Sequence, residues 1–138
     1  MTHLDVELKR LKEEKIEMFD LVISQFELLQ VTRLEEMWST AIEMLSDVQR
    51  AFDADDAKLS RGVFKKDDIL DEVNSNANDV IEHYIKSHPD KIAQALHIVS
   101  TIRKLERTGD QTKNISEEII FFLEAKVLKH LSEKAKSE

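Results

Sequence analysis

Carboxylates placed one helical turn apart are the feature of this sequence best suited to chemistry: Asp67 and Asp71 in DDILD, and Glu106 and Asp110 in ERTGD. Side chains four residues apart lie on one face of a helix, so each pair points the same way. Asn114 and Glu118 extend the second row by further steps of four. Both rows fall on or beside apolar stripes, where a bare carboxylate is costly unless something compensates its charge. One compensation is a basic neighbour: Arg103 and Arg107 lie beside the second pair, and Lys65, Lys66 and Lys113 are close in sequence. The other is a hard metal ion, since oxygen ligands suit magnesium, manganese, iron or calcium. Spacing alone leaves both open.

Other chemistries find little support. A ferritin-like di-iron site requires Glu-x-x-His, yet the residues three before His83, His88, His97 and His130 are Val80, Ile85, Gln94 and Val127. The histidines stand apart from one another and are expected at the surface or at an interface. With no cysteine there is no thiolate metal site and no thiol nucleophile. Gly-rich phosphate loops, hydrolase elbows and kinase motifs are absent. Binding, not catalysis, is the expected mode of action.

The elements that must position these acids are helices. Only two glycines and one proline occur in 138 residues, too little turn vocabulary for a sheet protein, and the dominant residues favour helix. Apolar residues recur at helical spacing from Leu4 through Leu8, Leu11, Met18, Val22, Phe26 and Leu29, and on to Phe52. One long continuous helix is expected there, although TRLE at Thr32–Glu35 also fits a capping box. FDADDAKLS ends that run, and Asp53, Asp55 or Asp56 can cap a second helix reaching about Lys86. Pro89 is placed to open a third helix running to about Leu131. The expected architecture is all-α: an antiparallel three-helix bundle over residues 31–133, an N-terminal helical arm over 1–30, and a frayed tail over 134–138.

Within it, the second helix carries a seam of Val63, Asp67, Leu70, Asn74, Ala77, Ile81 and Tyr84. The third carries Ile92, Ala95, Val99, Ile102, Glu106 and Gly109. Gly109 inside a helix points to a close approach, either between helices or between backbone and an ion. Trp38, Phe121 and Phe122 are expected in the core or at an interface. The net charge of -8, with no free-standing basic cluster, argues against nucleic acid. With no signal peptide or long apolar run, a cytoplasmic location is expected.

One stretch is more specific. KLERTGDQTKNISEEIIFFLEAKVLKH closely resembles the signature of the PhoU family, a Leu-Glu-Arg-x-Gly-Asp run followed by Asn-Ile-x-Glu and an aromatic segment closed by histidine. AFDADDAKLSRGVFKKDDILDEVN is similar to the family's Asp-rich turn and second-helix acid pair. HPDKIAQALHIVSTIRKLER resembles the second of the family's two repeats, and THLDVELKRLKEEKIEMFDLVISQ the start of a full-length member. Full members carry two three-helix repeats, whereas this chain has room for one and an extended first helix.

The resemblance implies a negative regulator of phosphate uptake that contacts a phosphate-specific transporter, its sensor histidine kinase, or both. It also implies metal, iron in particular, held by Asp67 and Asp71 on one helix and Glu106 and Asp110 on the next, with Asn114 and Glu118 on the same row. A structural helical adaptor without metal and a regulator of a cation-coupled phosphate carrier are the alternatives. The arm's apolar stripe, too long for one repeat to cover, leads to the expectation of a homodimer.

Overall fold

A computed structural model describes residues 2–137, apart from the side chains of Phe19, Leu21, Val22 and Ser24. The described residues form four α-helices: α1 (His3–Thr32), α2 (Leu34–Ala54), α3 (Ala57–Ser87) and α4 (Ile92–Lys136). A single 3-10 turn, Pro89–Lys91, links α3 to α4, and no strand occurs among the described residues. Helices α2, α3 and α4 make an antiparallel three-helix bundle, as expected, with α1 extending beyond it.

Local sequence explains where the helices start and stop. The Thr2 hydroxyl accepts from the Asp5 amide while the Asp5 carboxylate accepts from Thr2, a true capping box at the start of α1. Asp56 caps α3, its Oδ1 accepting the Leu59 amide at 3.0 Å. Asp55, in the left-handed region with φ 52°, ends α2. Pro89 opens the 3-10 turn, and α4 follows from Ile92.

The expectation of one continuous first helix is corrected at Arg33. This residue has φ 59° and is shared as the last cap of α1 and the first of α2. Thr32 does not form the capping box; its hydroxyl turns back to the Leu28 carbonyl instead. The Arg33 amide donates to the Gln30 and Leu29 carbonyls, closing α1, and its guanidinium pairs with Glu36 at 2.8 Å and Glu72 of α3 at 2.7 Å. The tail is also different from expectation: α4 stays helical to Lys136, with only Ser137 beyond it among the described residues. Val22, assigned to the arm's apolar row, and Glu138, at the end of the tail, lie outside the described residues.

The core is one cluster running the length of the bundle, with Met37, Met44, Val63, Leu70, Ile102 and Leu105 among its members. A second cluster, Leu28, Ile81, Tyr84 and Ala95, fastens the last turns of α1 to the far end of α3 and the beginning of α4. His88 stacks on Tyr84 with centroids 4.2 Å apart, and its Nε2 lies 3.9 Å from the Glu27 carboxylate. Between α2 and α3, buried Asp47 accepts from Lys66. Trp38, Phe121 and Phe122 are all exposed, which excludes the core option for them.

The two glycines have opposite roles. A Cβ at Gly62 would meet nothing within 4 Å, whereas one at Gly109 would come within 2.5 Å of Leu70 Cδ2 and 2.9 Å of Asp67 Oδ1. Gly62→Ala should therefore stabilise the protein by about 0.5–1 kcal/mol, by removing the glycine entropy cost inside α3. Gly109→Ala should destabilise it by about 1–3 kcal/mol through overpacking. Urea unfolding of the two variants beside the parent chain reads both signs.

Candidate metal centre

Small residues recur along the seam between α3 and α4 and let the two helices approach closely there. Buried Ser60 and Ser116 exchange hydrogen bonds: Ser60 Oγ donates to the Ser116 carbonyl at 3.0 Å, and Ser116 Oγ donates to the Ser60 carbonyl. Seven residues along each helix, two turns on, Asp67 faces Gly109. Further along, Arg103 Nη2 reaches Asn78 Oδ1 at 3.1 Å. The register is thus fixed at three levels, and Asp67 sits in the middle one.

Asp67 is 1% exposed. Its Oδ1 lies against the Gly109 backbone and finds no hydrogen-bond partner among the described residues. Its Oδ2 has Lys113 Nζ at 3.7 Å, an ion-pair distance too long for a direct hydrogen bond. One carboxylate oxygen each from Asp67, Asp71 and Asp110 lies within 4.8 Å of the other two. Glu106, half-buried on the same side of α4, joins this group electrostatically. Burial pushes the Asp67 carboxyl above its ordinary value, and the Asp71 charge adds to the rise. Glu106 is pushed up by burial and then by Asp110, beside which it lies. Four acids crowd one patch facing one lysine.

Of the six residues picked from sequence, four therefore converge. Asn114 and Glu118 do not join them: both are exposed, and the α3–α4 register carries them along the Ser60–Ser116 end, past the acids. The extrapolation by fours failed because α4 buries Gly109, Thr112, Ser116 and Ile119, a three-four alternation from which a strict step of four rotates away. The basic partners differ too. Arg103 bonds an amide, Lys66 turns to Asp47 and Glu43 of α2, and Lys113 is the cation nearest Asp67. In the α3 seam Val73 is buried where Asn74 was expected, and Asn74 is half-buried. Ser60 and Ser116 went unnoticed in the sequence, although their heptad distance from Asp67 and Gly109 was a usable signal.

Residues 34–119 match the PhoU domain. The chain belongs to the PhoU family. Among characterised relatives it is 29% identical over 119 residues to a phosphate-specific transport system accessory protein PhoU homolog 1 of Thermotoga maritima, covering 86% of this chain and 47% of that protein. It is 36% identical over 89 residues to the corresponding PhoU homolog of Borreliella burgdorferi, covering 64% of this chain and 40% of that one. The chain thus spans less than half the length of these PhoU relatives. No solved structure matches it.

The electrostatics of the PhoU-domain acid patch fix a sign. Asp67 and Glu106 titrate above their ordinary values of 3.8 and 4.5, so their ionised forms disfavour the folded state. That cost is complete above the raised pKa values and is relieved as pH falls toward the ordinary ones. Asp67→Asn removes the charge and supplies an amide donor to Asp71 or Asp110. It should raise the metal-free melting temperature at pH 7 by on the order of 2–5 °C. The gap from the parent chain should narrow as the pH of the melt is lowered toward 4.

Proposed function

We propose that this chain is a regulatory module of phosphate transport whose α3–α4 acid patch holds a hard metal ion. The observation that carries the metal is the bare Oδ1 of buried Asp67. A buried carboxylate oxygen without a donor is costly, and a cation seated among Asp67, Asp71 and Asp110 would satisfy it at once. Glu106 lies where it can add a fourth oxygen or hold a metal-bound water. The donor set is wholly carboxylate, which fits magnesium, manganese, calcium or iron and disfavours soft thiophilic metals. Gly109 matters to the same end, because a Cβ there would crowd the Asp67 carboxylate between the helices. An ion here would tie α3 to α4 and replace mutual repulsion with attraction.

The phosphate reading rests on the accessory-protein names of the relatives. On this reading the chain acts by contact, with a phosphate transporter or its sensor kinase, and not by catalysis. Among the described residues no helix is long and apolar enough to cross a membrane. Any membrane association would then come through those partners, from the cytoplasmic side. Loss of the chain should leave phosphate uptake or phosphate-responsive transcription high in phosphate-replete cells. Unchanged uptake and transcription in a deletion strain would count against the regulatory reading.

The metal is tested separately. Protein purified without chelator should contain at least one equivalent of metal by elemental analysis. The Glu106→Gln/Asp110→Asn double variant should lose at least tenfold in metal affinity while keeping its helical spectrum. The adaptor alternative expects no metal in either protein and a lower melting temperature for the variant.

A further inference from the structure

Both ends of the molecule carry a helix whose described side chains are left uncovered by the other described residues. Every described side chain from Thr2 to Glu27 is exposed on α1. At the opposite end, past the α2–α3 turn, α4 runs on alone, with Phe121 76% and Leu128 67% exposed. Each overhang has a heptad stripe. On α1 it is Leu4, Leu8, Leu11, Lys15 and Met18; on α4 it is Phe121, Glu124, Leu128, Leu131 and Ala135. Steps of four and three alternate in one and of three and four in the other, the spacing of a two-helix seam. Each stripe is apolar except at one charged position.

The geometry points to a second copy of this chain as the occupant, the α1 arm of each copy pairing antiparallel with the α4 overhang of the other. Laid antiparallel, Leu4 meets Ala135, Leu8 meets Leu131, Leu11 meets Leu128 and Met18 meets Phe121. The charged position of each stripe then meets its opposite, Lys15 against Glu124.

Residue spacing along the helices agrees with this register. Helices α2 and α4 run parallel, both being antiparallel to α3, and Trp38 and Thr101 line one depression at a shared level. Past the Arg33 break, α1 keeps the direction of α2 along α3: Val31 and Thr32 lie by Ala77 and Val80, and Leu28 by Ile81 and Tyr84. Twenty positions separate Met18 from Trp38, with the Arg33 cap among them, and twenty separate Thr101 from Phe121. A two-fold axis at the Trp38–Thr101 level would bring both seams into this register together.

Shape and charge agree. Beside the first turns of α3, the α4 overhang walls a surface depression of about 1040 Å³, lined by Ala57, Arg61, Glu124, Leu128 and Leu131 among others. The arm would lie there, with Lys15 joining the existing Arg61–Glu124 pair at 2.6 Å. From His3 to Asp20 the arm has six acids against four Lys or Arg, and from Glu124 to Lys136 the overhang has four lysines against two acids. A parallel pairing would set Leu8 against Glu124 and Lys15 against Leu131, leaving each charge in the seam without its opposite. Two five-layer seams bury on the order of 1,500 Å², the size of a standard stable interface. This inference stands on the overhangs alone and is independent of metal and of phosphate.

The natural absence of cysteine makes the test direct. Full-length Leu11→Cys and Leu128→Cys variants are prepared separately, mixed, and oxidised. The expected result is a disulfide-linked heterodimer in the mixture and none from Leu11→Cys alone. Sedimentation of the parent chain at tens of micromolar should show a dimer, and Leu131→Asp should raise its dissociation constant at least tenfold with the helical spectrum kept. A monomeric parent chain, cross-linking of Leu11→Cys to itself, or a dimer that never links Leu11→Cys to Leu128→Cys would each overturn the assignment.

Discussion

The contact between Gly109 and the Asp67 carboxylate is the constraint around which this molecule is arranged. A methyl group at position 109 would collide with both Asp67 Oδ1 and Leu70, so the missing side chain sets how near α4 approaches α3. That nearness buries an acid almost completely while keeping it at the edge of the bundle, where Asp71 and Asp110 can reach it. The reciprocal Ser60–Ser116 hydrogen bonds hold the same spacing two turns away. Without them a hydroxyl on each helix would be buried with nothing to bond.

The patch is an electrostatic compromise. Asp67 suffers burial and the repulsion of its neighbours, and Lys113 is near enough to soften this but not to donate to it directly. By contrast, Asp47, the other buried acid of the bundle, accepts a full hydrogen bond from Lys66. The bundle therefore treats its two buried aspartates differently. One is neutralised within the protein; the other keeps a free oxygen beside two more carboxylates, the arrangement a cation would complete.

The two overhangs show a related imbalance in apolar form. A helix exposing leucines over several turns gains little from isolated propensity and is marginal by itself in water. Both α1 and α4 extend past their neighbours, and they do so at opposite ends. Stripe and charge make them complementary to each other but not within a single chain, since the bundle holds them apart. Association would convert two marginal helices into packed ones, with the acid patch left outside the seams.

The sequence by itself determined the helical class, the approximate limits of α3, the acid pairs and the PhoU signature. These depend on local propensity, on caps such as Asp56, and on residue identity within a short window. Tertiary structure decided the break at Arg33, where the guanidinium pairs with Glu72, thirty-nine residues away on α3. It alone separated the converging Asp67, Asp71, Glu106 and Asp110 from solvent-facing Asn114 and Glu118. The face that α4 turns inward is set by what α2 and α3 offer it, a three-four seam past which a row of fours must rotate. It also chose Lys113 over the arginines as the cation near Asp67, for charge pairing across helices follows the register between them and not proximity along the chain.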